Sequence, residues 1–184
     1  MRVGDPRIMS ILYAPASYTH RSHLPEIFRA SEIRAERLLN FWLLRHGKLS
    51  DLPARWQPDE ATCSLLLSHW HLIPLAAHLV GGYLQRNRLP EMGAVLMSDP
   101  RLLAFISLPL LHEVTLDEAD TPFDTASCGA TFLLGQFPGL PAALRQRLML
   151  HFPSGMALAQ FAAPKTLNHI NLLRMAFIYA HHYY

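Results

Sequence analysis

The sequence predicts an all-α or predominantly α fold, an irregular assembly of many short helices around one core. Three observations predict it. Apolar residues recur at three- and four-residue steps in several windows, which open on capping residues and close on glycine or proline. Fourteen prolines are scattered through 184 residues, which cuts the chain into short elements and argues against a simple long-helix bundle. Hydrophobic residues make up 51% of the chain and charged residues 16%, so a sizeable core forms without disulfides or metal. That charge fraction is below the ~25% typical of free-standing domains, so part of the surface is expected to be apolar and covered by a partner. The chain reads as one domain over residues 1–184, in which a cut within 48–58 would mark off an N-terminal subregion 1–57.

In chain order, residues 7–13 read as extended, with Ile8, Met9, Ile11, Leu12 and Tyr13 apolar around Ser10. A minor strand could form there or within 110–116. Pro15 and Pro25 bracket a stretch rich in Ser, Thr, Tyr and His that reads as a structured loop. Pro25 suits a first helical turn, where its missing N–H costs nothing, and Glu26 complements a helix N-terminus. Ser31 is a candidate N-cap for a helix on which Ile33, Leu38, Phe41, Trp42 and Leu44 form a broad apolar face. Arg34, Arg37 and Arg45 lie off that face, and Gly47 ends the helix. Residues 50–58 form a linker or ordered loop that Trp56 pins to the core. A second helix starts near Pro58, Asp59 and Glu60 and carries Leu65, Leu66, Trp70 and Ile73, with Pro74 kinking or ending it.

Leu75, Leu79 and Tyr83 continue the pattern at four-residue steps. Gly81 and Gly82 are costly in a helix interior and mark a close crossing or a break. Met92, Val95 and Leu96 suit a short helix, and Ser98, Asp99 and Pro100 signal a fresh start. Leu102, Leu103, Phe105, Ile106 and Leu110 read as buried. Residues 117–124 read as an acidic surface loop and 131–137 as a short apolar element. Pro141 opens a helix with Leu144, Leu148 and His151 on one side and Arg145 and Arg147 nearer the other. Residues 156–163 read as a short helix before Pro164. A last helix carries Leu167, Ile170, Leu173, Phe177 and Ala180 at burial spacing.

Charge and reactive residues narrow the function. Lys plus Arg is 16 and Asp plus Glu 14, a net +2. An excess of two charges does not make the dense basic patch that nucleic acid requires. The charges are polarised: Arg29, Arg34, Arg37, Arg45 and Lys48 fall in one stretch, while Glu113, Asp117, Glu118, Asp120 and Asp124 lie in an interval without Lys or Arg. This pattern fits steering toward a protein partner, and equally two ordinary solvated faces. Cys63 and Cys128 read as free thiols of a reducing cytoplasm, since Met1 is followed by Arg2, Gly4, Asp5 and Pro6 and not by an apolar leader. No apolar run is long enough for a membrane span.

Catalytic signatures are missing. His69 and His71, two apart, do not share a helix face, and no His-Glu-x-x-His or cysteine pair stands at ligand spacing. No nucleophile elbow or phosphate loop is present, and the carboxylates at 117–120 do not follow calcium-loop spacing. No catalytic, metal or cofactor residue is therefore assigned. The competing class is a small cytoplasmic hydrolase or transferase with Cys128 or His151 near a cleft. A third is a regulator or chaperone that binds apolar helices through a broad groove.

Residues 13–25, YAPASYTHRSHLP, resemble the N-terminal signature aromatic-x-Pro-x-x-Tyr-x-His-x-x-x-Leu-Pro of the K component of type III secretion systems. This is the SctK family, with YscK and PscK as relatives. Tyr13, Pro15, Tyr18, His20, Leu24 and Pro25 match it position by position, and the run at 65–67 with its apolar continuation looks like the family's middle. The resemblance implies a non-enzymatic adaptor of the sorting platform beneath the injectisome, without cofactor. Its implied partners are the cytoplasmic domain of the inner-membrane ring protein (SctD) and the pod protein (SctQ), and through the pod the stator and ATPase. It implies a place in the bacterial cytoplasm, held at the inner membrane through the injectisome and not inserted in it. The motif residues, with Arg29, Arg34, Arg37 and Arg45 for pairing with an acidic partner, are the candidate interface residues. The motif can serve as a direct contact or as a buttress of the N-terminal fold.

Overall fold

The computed structural model describes residues 5–29, 36–58, 61–88, 99–109, 114, 124–163 and 165–182. In chain order the helices are α1 (Pro6–Tyr13), α2 (Glu26–Arg29), α3 (Glu36–His46), α4 (Ala61–Ser68), α5 (Ile73–Leu84), α6 (Pro100–Ile106), α7 (Thr125–Gln136), α8 (Ala142–Met149) and α9 (Leu167–His182). No strand occurs among the described residues, so the fold is all-α, with many short helices. The expected elements at 91–98, 110–113 and 115–123 lie outside the described residues. The chain divides into two compact units: Met1–His71 with Gly139–Met156, and Leu72–Pro138 with Ala157–Tyr184.

In the first unit, α1 replaces the extended segment read at 7–13. Asp5 caps it, its carboxylate accepting the Arg7 N–H at 2.9 Å, and Pro6 occupies the first turn. Ile8, Ile11 and Leu12 are buried. Those steps of three and four are helical; apolar Met9 and Tyr13 on the open side blurred them in sequence. On α3 the packed face is also not the one expected. Leu43 is the buried position, Trp42 and Leu44 are half-buried, and Leu38 and Phe41 are 60% and 58% exposed. The packed side is set by a polar residue: Asn40 Oδ1 accepts the Ala16 N–H at 2.7 Å, which turns Leu38 and Phe41 outward. Ser31, Ile33 and Arg34 lie outside the described residues. α3 ends as expected, with Gly47 N–H donating to Leu43 O.

The second unit is built around α5, which packs on α6, α7 and α9. Of the expected kink or end, Pro74 marks an end: the helix with Leu65 and Leu66 stops at Ser68, and Pro74 sits in the first turn of α5 and opens it. Gly81 and Gly82 mark a close crossing, as one of the two expectations had it. A Cβ at Gly81 would lie 3.0 Å from Gly129 N, and one at Gly129 would lie 2.8 Å from Ala77 Cα. α6 is capped by Asp99, whose Oδ1 accepts from Arg101 N and Leu102 N. Leu102 and Phe105 are buried, while Leu103 and Ile106 are half-buried and not fully enclosed as expected. The apolar element read at 131–137 is the end of the longer α7.

Residues 156–163 form no helix, contrary to expectation. From Ala157 to Ala163 they lie along α7, whose side chains donate to their carbonyls. Ser127 Oγ donates to Ala157 O, Thr131 Oγ1 to Ala159 O at 3.2 Å, and Gln136 Nε2 to Ala163 O at 3.2 Å. Those donors fill the role of a helix's own N–H groups and so hold an extended strap. On α9, Leu172, Leu173, Ala176, Phe177 and Ala180 are buried, but Leu167 is 70% exposed, so the expected burial begins a turn later. No helix among the described residues is long and apolar enough to cross a membrane.

Candidate functional site

The first unit brings the motif residues 13–25 against the end of α8. Pro15 is buried and opens a 3-10 turn, Pro15–Ser17. Tyr18 follows, half-buried, its hydroxyl donating to Ile11 O at 2.6 Å. Its ring stacks on His151 (centroids 4.8 Å, planes 26° apart) and meets Trp70 edge-on at 5.8 Å. Burial pushes the Tyr18 hydroxyl well above the ordinary tyrosine pKa, so it stays a donor.

His20 caps the next turn, Arg21–His23: its Nδ1 accepts from Ser22 N–H and lies 2.8 Å from Ser22 Oγ, while its own N–H donates to Leu150 O at 2.7 Å. Ser22 Oγ in turn accepts from Ser154 N–H, and His23 Nε2 donates to Phe152 O. With Ser154 Oγ donating to Ser22 O at 3.3 Å, the segment is sewn to residues 150–154 by four bonds. Leu24 and Pro25 are half-buried, and Pro25 O accepts the Phe28 N–H as α2 begins. Tyr13 alone of the motif residues is largely in solvent. Tyr18 and His20 are each held by bonds within the first unit, Tyr18 to Ile11 and His20 to Leu150.

Beneath the motif lies a residue that the sequence reading misplaced. Arg147, placed away from the buried side by its charge, is 0% exposed. Its Nε and Nη2 both donate to Leu12 O (3.1 and 3.0 Å), and its Nη1 donates to Ser50 O at 2.7 Å and Ala143 O at 3.0 Å. A planar guanidinium supplies this fork of donors and lysine does not. Burial lowers its pKa, with Tyr18 and Asp51 acting against that shift. The spacing carries the signal: residues 144, 147, 148 and 151 share one helix face, although charge alone places Arg147 outside.

His151 is buried beside it, its Nε2 without a hydrogen-bond partner. Burial, with the charge of His71 adding, pushes its pKa down to about 3 from 6.5. The neutral ring is favoured by folding. Its contribution is present above pH 6.5 and lost as pH falls from there toward 3, at about 1.4 kcal/mol per pH unit. Melting is expected to drop by the equivalent of about 3 kcal/mol at pH 4.5 from this residue alone. His151→Phe should flatten the melting temperature between pH 7 and 4.5; an equally steep fall in that variant would refute the assignment.

The residues of the enzyme alternative are poorly placed for chemistry. Cys128 is buried within α7, and burial, with Asp124 adding, pushes its thiol up to about 12. His151 presents a neutral ring enclosed by Tyr18 and Trp70. Both cysteines are free thiols. Among the described residues no group of three His, Cys, Asp or Glu side chains is placed to hold a metal. His78 instead lies 2.6 Å from Thr125 Oγ1 and 3.2 Å from Asp99 Oδ2.

Of the candidate arginines, Arg37 and Arg45 are exposed on α3. They share one outward stripe with Leu38 and Phe41, and the Arg45 guanidinium lies 5.7 Å from the centre of the Phe41 ring. Arg29 closes α2, and Arg34 lies outside the described residues. The structure therefore brings Tyr18, His20 and Leu24 together and leaves Arg37 and Arg45 on a separate helix face.

A family model described as bacterial type III secretion apparatus protein (OrgA_MxiK) matches residues 8–182. Neither the curated proteins nor the solved structures give a match. The matched span runs from the first turn of α1 to the last residue of α9. It carries the role of a non-enzymatic adaptor. With nearly the whole chain inside the match, it belongs to the OrgA_MxiK family of bacterial type III secretion apparatus proteins.

Proposed function

We propose that this chain links the cytoplasmic domain of the inner-membrane ring protein (SctD) to the pod protein (SctQ). Through the pod it serves the stator and ATPase, from the bacterial cytoplasm and at the inner membrane only through its partners. The observation that carries the reading is the family match over residues 8–182. Calorimetry of the full chain with each partner tests it. Saturable one-site binding to both, and a three-component complex on size exclusion, is expected. Binding to neither, alone or with both present, overturns it.

Within this reading the motif is a brace. Tyr18→Ala and His20→Ala should each lower the melting temperature, and His20→Ala should leave the ring-domain affinity of the folded protein unchanged. Tyr18→Ala loses a stacked ring and a hydrogen bond, about 2–4 kcal/mol. Affinity loss at unchanged melting would make the motif a direct contact instead. Arg37 and Arg45, with Arg29 and Arg34, are proposed to pair with an acidic partner surface. Binding that ignores both added salt and Arg→Glu changes at 37 and 45 would refute that pairing.

A further inference from the structure

Beside the motif, and sharing Ser17 and Tyr18 with it, the first unit holds a pocket of about 330 Å³ between α1 and the end of α4. Ile11, Leu67, Tyr18 and Trp70 give it an apolar and aromatic floor, and Arg7, Ser10, Ser17, Ser68 and His71 are its polar lining. No lining residue is acidic. Arg7 is exposed, and among the described residues its side chain makes one hydrogen bond, from Nη1 to Ser68 Oγ at 3.2 Å, which orients the guanidinium and leaves it further donors. Asp5, two residues away, spends its Oδ1 on the Arg7 backbone N–H and does not line the pocket. Met9 and Tyr13 stand largely exposed on the same helix, a step of four apart. A cavity of this size with a few convergent polar groups over an apolar floor is the form of a binding site.

We infer that this pocket seats an acidic side chain of a partner protein, an Asp or Glu flanked by an apolar residue, with Arg7 gripping the carboxylate. The inference rests on the adaptor reading for its partner but on the pocket's own charge and shape for its chemistry. A carboxylate takes two parallel bonds from a guanidinium, and the Ser68 bond holds Arg7 ready for it. The apolar neighbour fills the Tyr18–Trp70 floor. Tyr18 thereby gains a second face: its hydroxyl braces α1 and its ring walls the socket.

Two measurements test this. In the first, the full chain is titrated with 3-phenylpropionate, 3-phenylpropanol and acetate, reading the Trp70 indole N–H by NMR, assigned with Trp70→Phe. The phenylpropionate shift should saturate, and should weaken about tenfold or more in Arg7→Gln and with either partial probe. No saturating shift, or equal binding of the alcohol or by the variant, overturns the pocket. In the second, Arg7→Glu is compared with the unaltered chain for binding to the ring domain and to the pod protein. A loss of about tenfold or more toward one partner, at unchanged melting, is expected. Unchanged affinity for both overturns the docking role. If the unaltered chain binds neither partner the adaptor reading fails, while the small-probe titration still decides the pocket.

Discussion

Replacing Arg147 with methionine is expected to lower the stability of the first unit by about 3–5 kcal/mol, because four charge-assisted hydrogen bonds to three carbonyls are lost at once. For a chain of this length that corresponds to a fall in melting temperature of roughly 10 °C. The methionine side chain fills much of the space but donates nothing, so the carbonyls of Leu12, Ser50 and Ala143 lose the bonds that Arg147 supplies. Each buried acceptor left unpaired costs about 1–3 kcal/mol. Arg147→Lys separates charge from geometry: an ammonium keeps the charge but cannot span three carbonyls, so it too should lose about 2 kcal/mol or more. A melting temperature for Arg147→Met within 2 °C of the unaltered chain would show that water satisfies those carbonyls and that the clamp is not structural.

The crossing of α5 and α7 gives the second large effect. In an open helix Gly→Ala gains about 1 kcal/mol. At Gly129 the sign is expected to reverse, because the new Cβ would overlap the Ala77 carbonyl and lie 2.8 Å from Ala77 Cα. Those are backbone atoms, so no rotamer change relieves the overlap and the two helices must move apart. A net loss of about 2–4 kcal/mol is expected for Gly129→Ala by denaturant titration, allowing for that gain. Gly139→Ala, where nothing lies within 4 Å of the new Cβ, is the control and should stay within about 0.5 kcal/mol. A Gly129→Ala protein as stable as the control would mean that the backbones do not touch at this crossing.

The residues explain what the sequence could and could not reveal. The all-α class was legible because caps and periods agree at Asp99, Pro141 and Gly47, where the chain's own chemistry fixes the ends. The close crossing at Gly81 was half legible, because two glycines inside an apolar helix mark either a crossing or a break and only the packing decides between them. Misreadings share a cause: tertiary partners overrode local pattern. α1 looked extended since its apolar residues occupy both faces. α3 turned its Leu38 and Phe41 outward because Asn40, a polar residue, makes the packing contact. The strap at 157–163 is held by donors about 30 residues earlier in the chain, which no local window contains. At the site, the motif picks out a segment that the structure ties to residues 150–154, and bracing and direct contact were both open in the sequence. Arg147 was missed because a charged residue is rarely placed in a core unless its partners are known, and its partners Leu12 and Ser50 lie 135 and 97 positions away.

The first unit is discontinuous in the chain, and this bears on its synthesis. At about 5–20 residues per second, the 135 positions between Leu12 and Arg147 take roughly 7–27 s to translate. During that interval α1 can coil, but the guanidinium that accounts for the Leu12 carbonyl, and the α8 face on which α1 packs, do not yet exist. The His20 and His23 attachments to Leu150 and Phe152 wait equally long. Nascent chains halted before α8 would therefore present α1 covered only by α4 and the Pro15–Ser17 turn, a short amphipathic helix partly open to any factor that surveys emerging polypeptides.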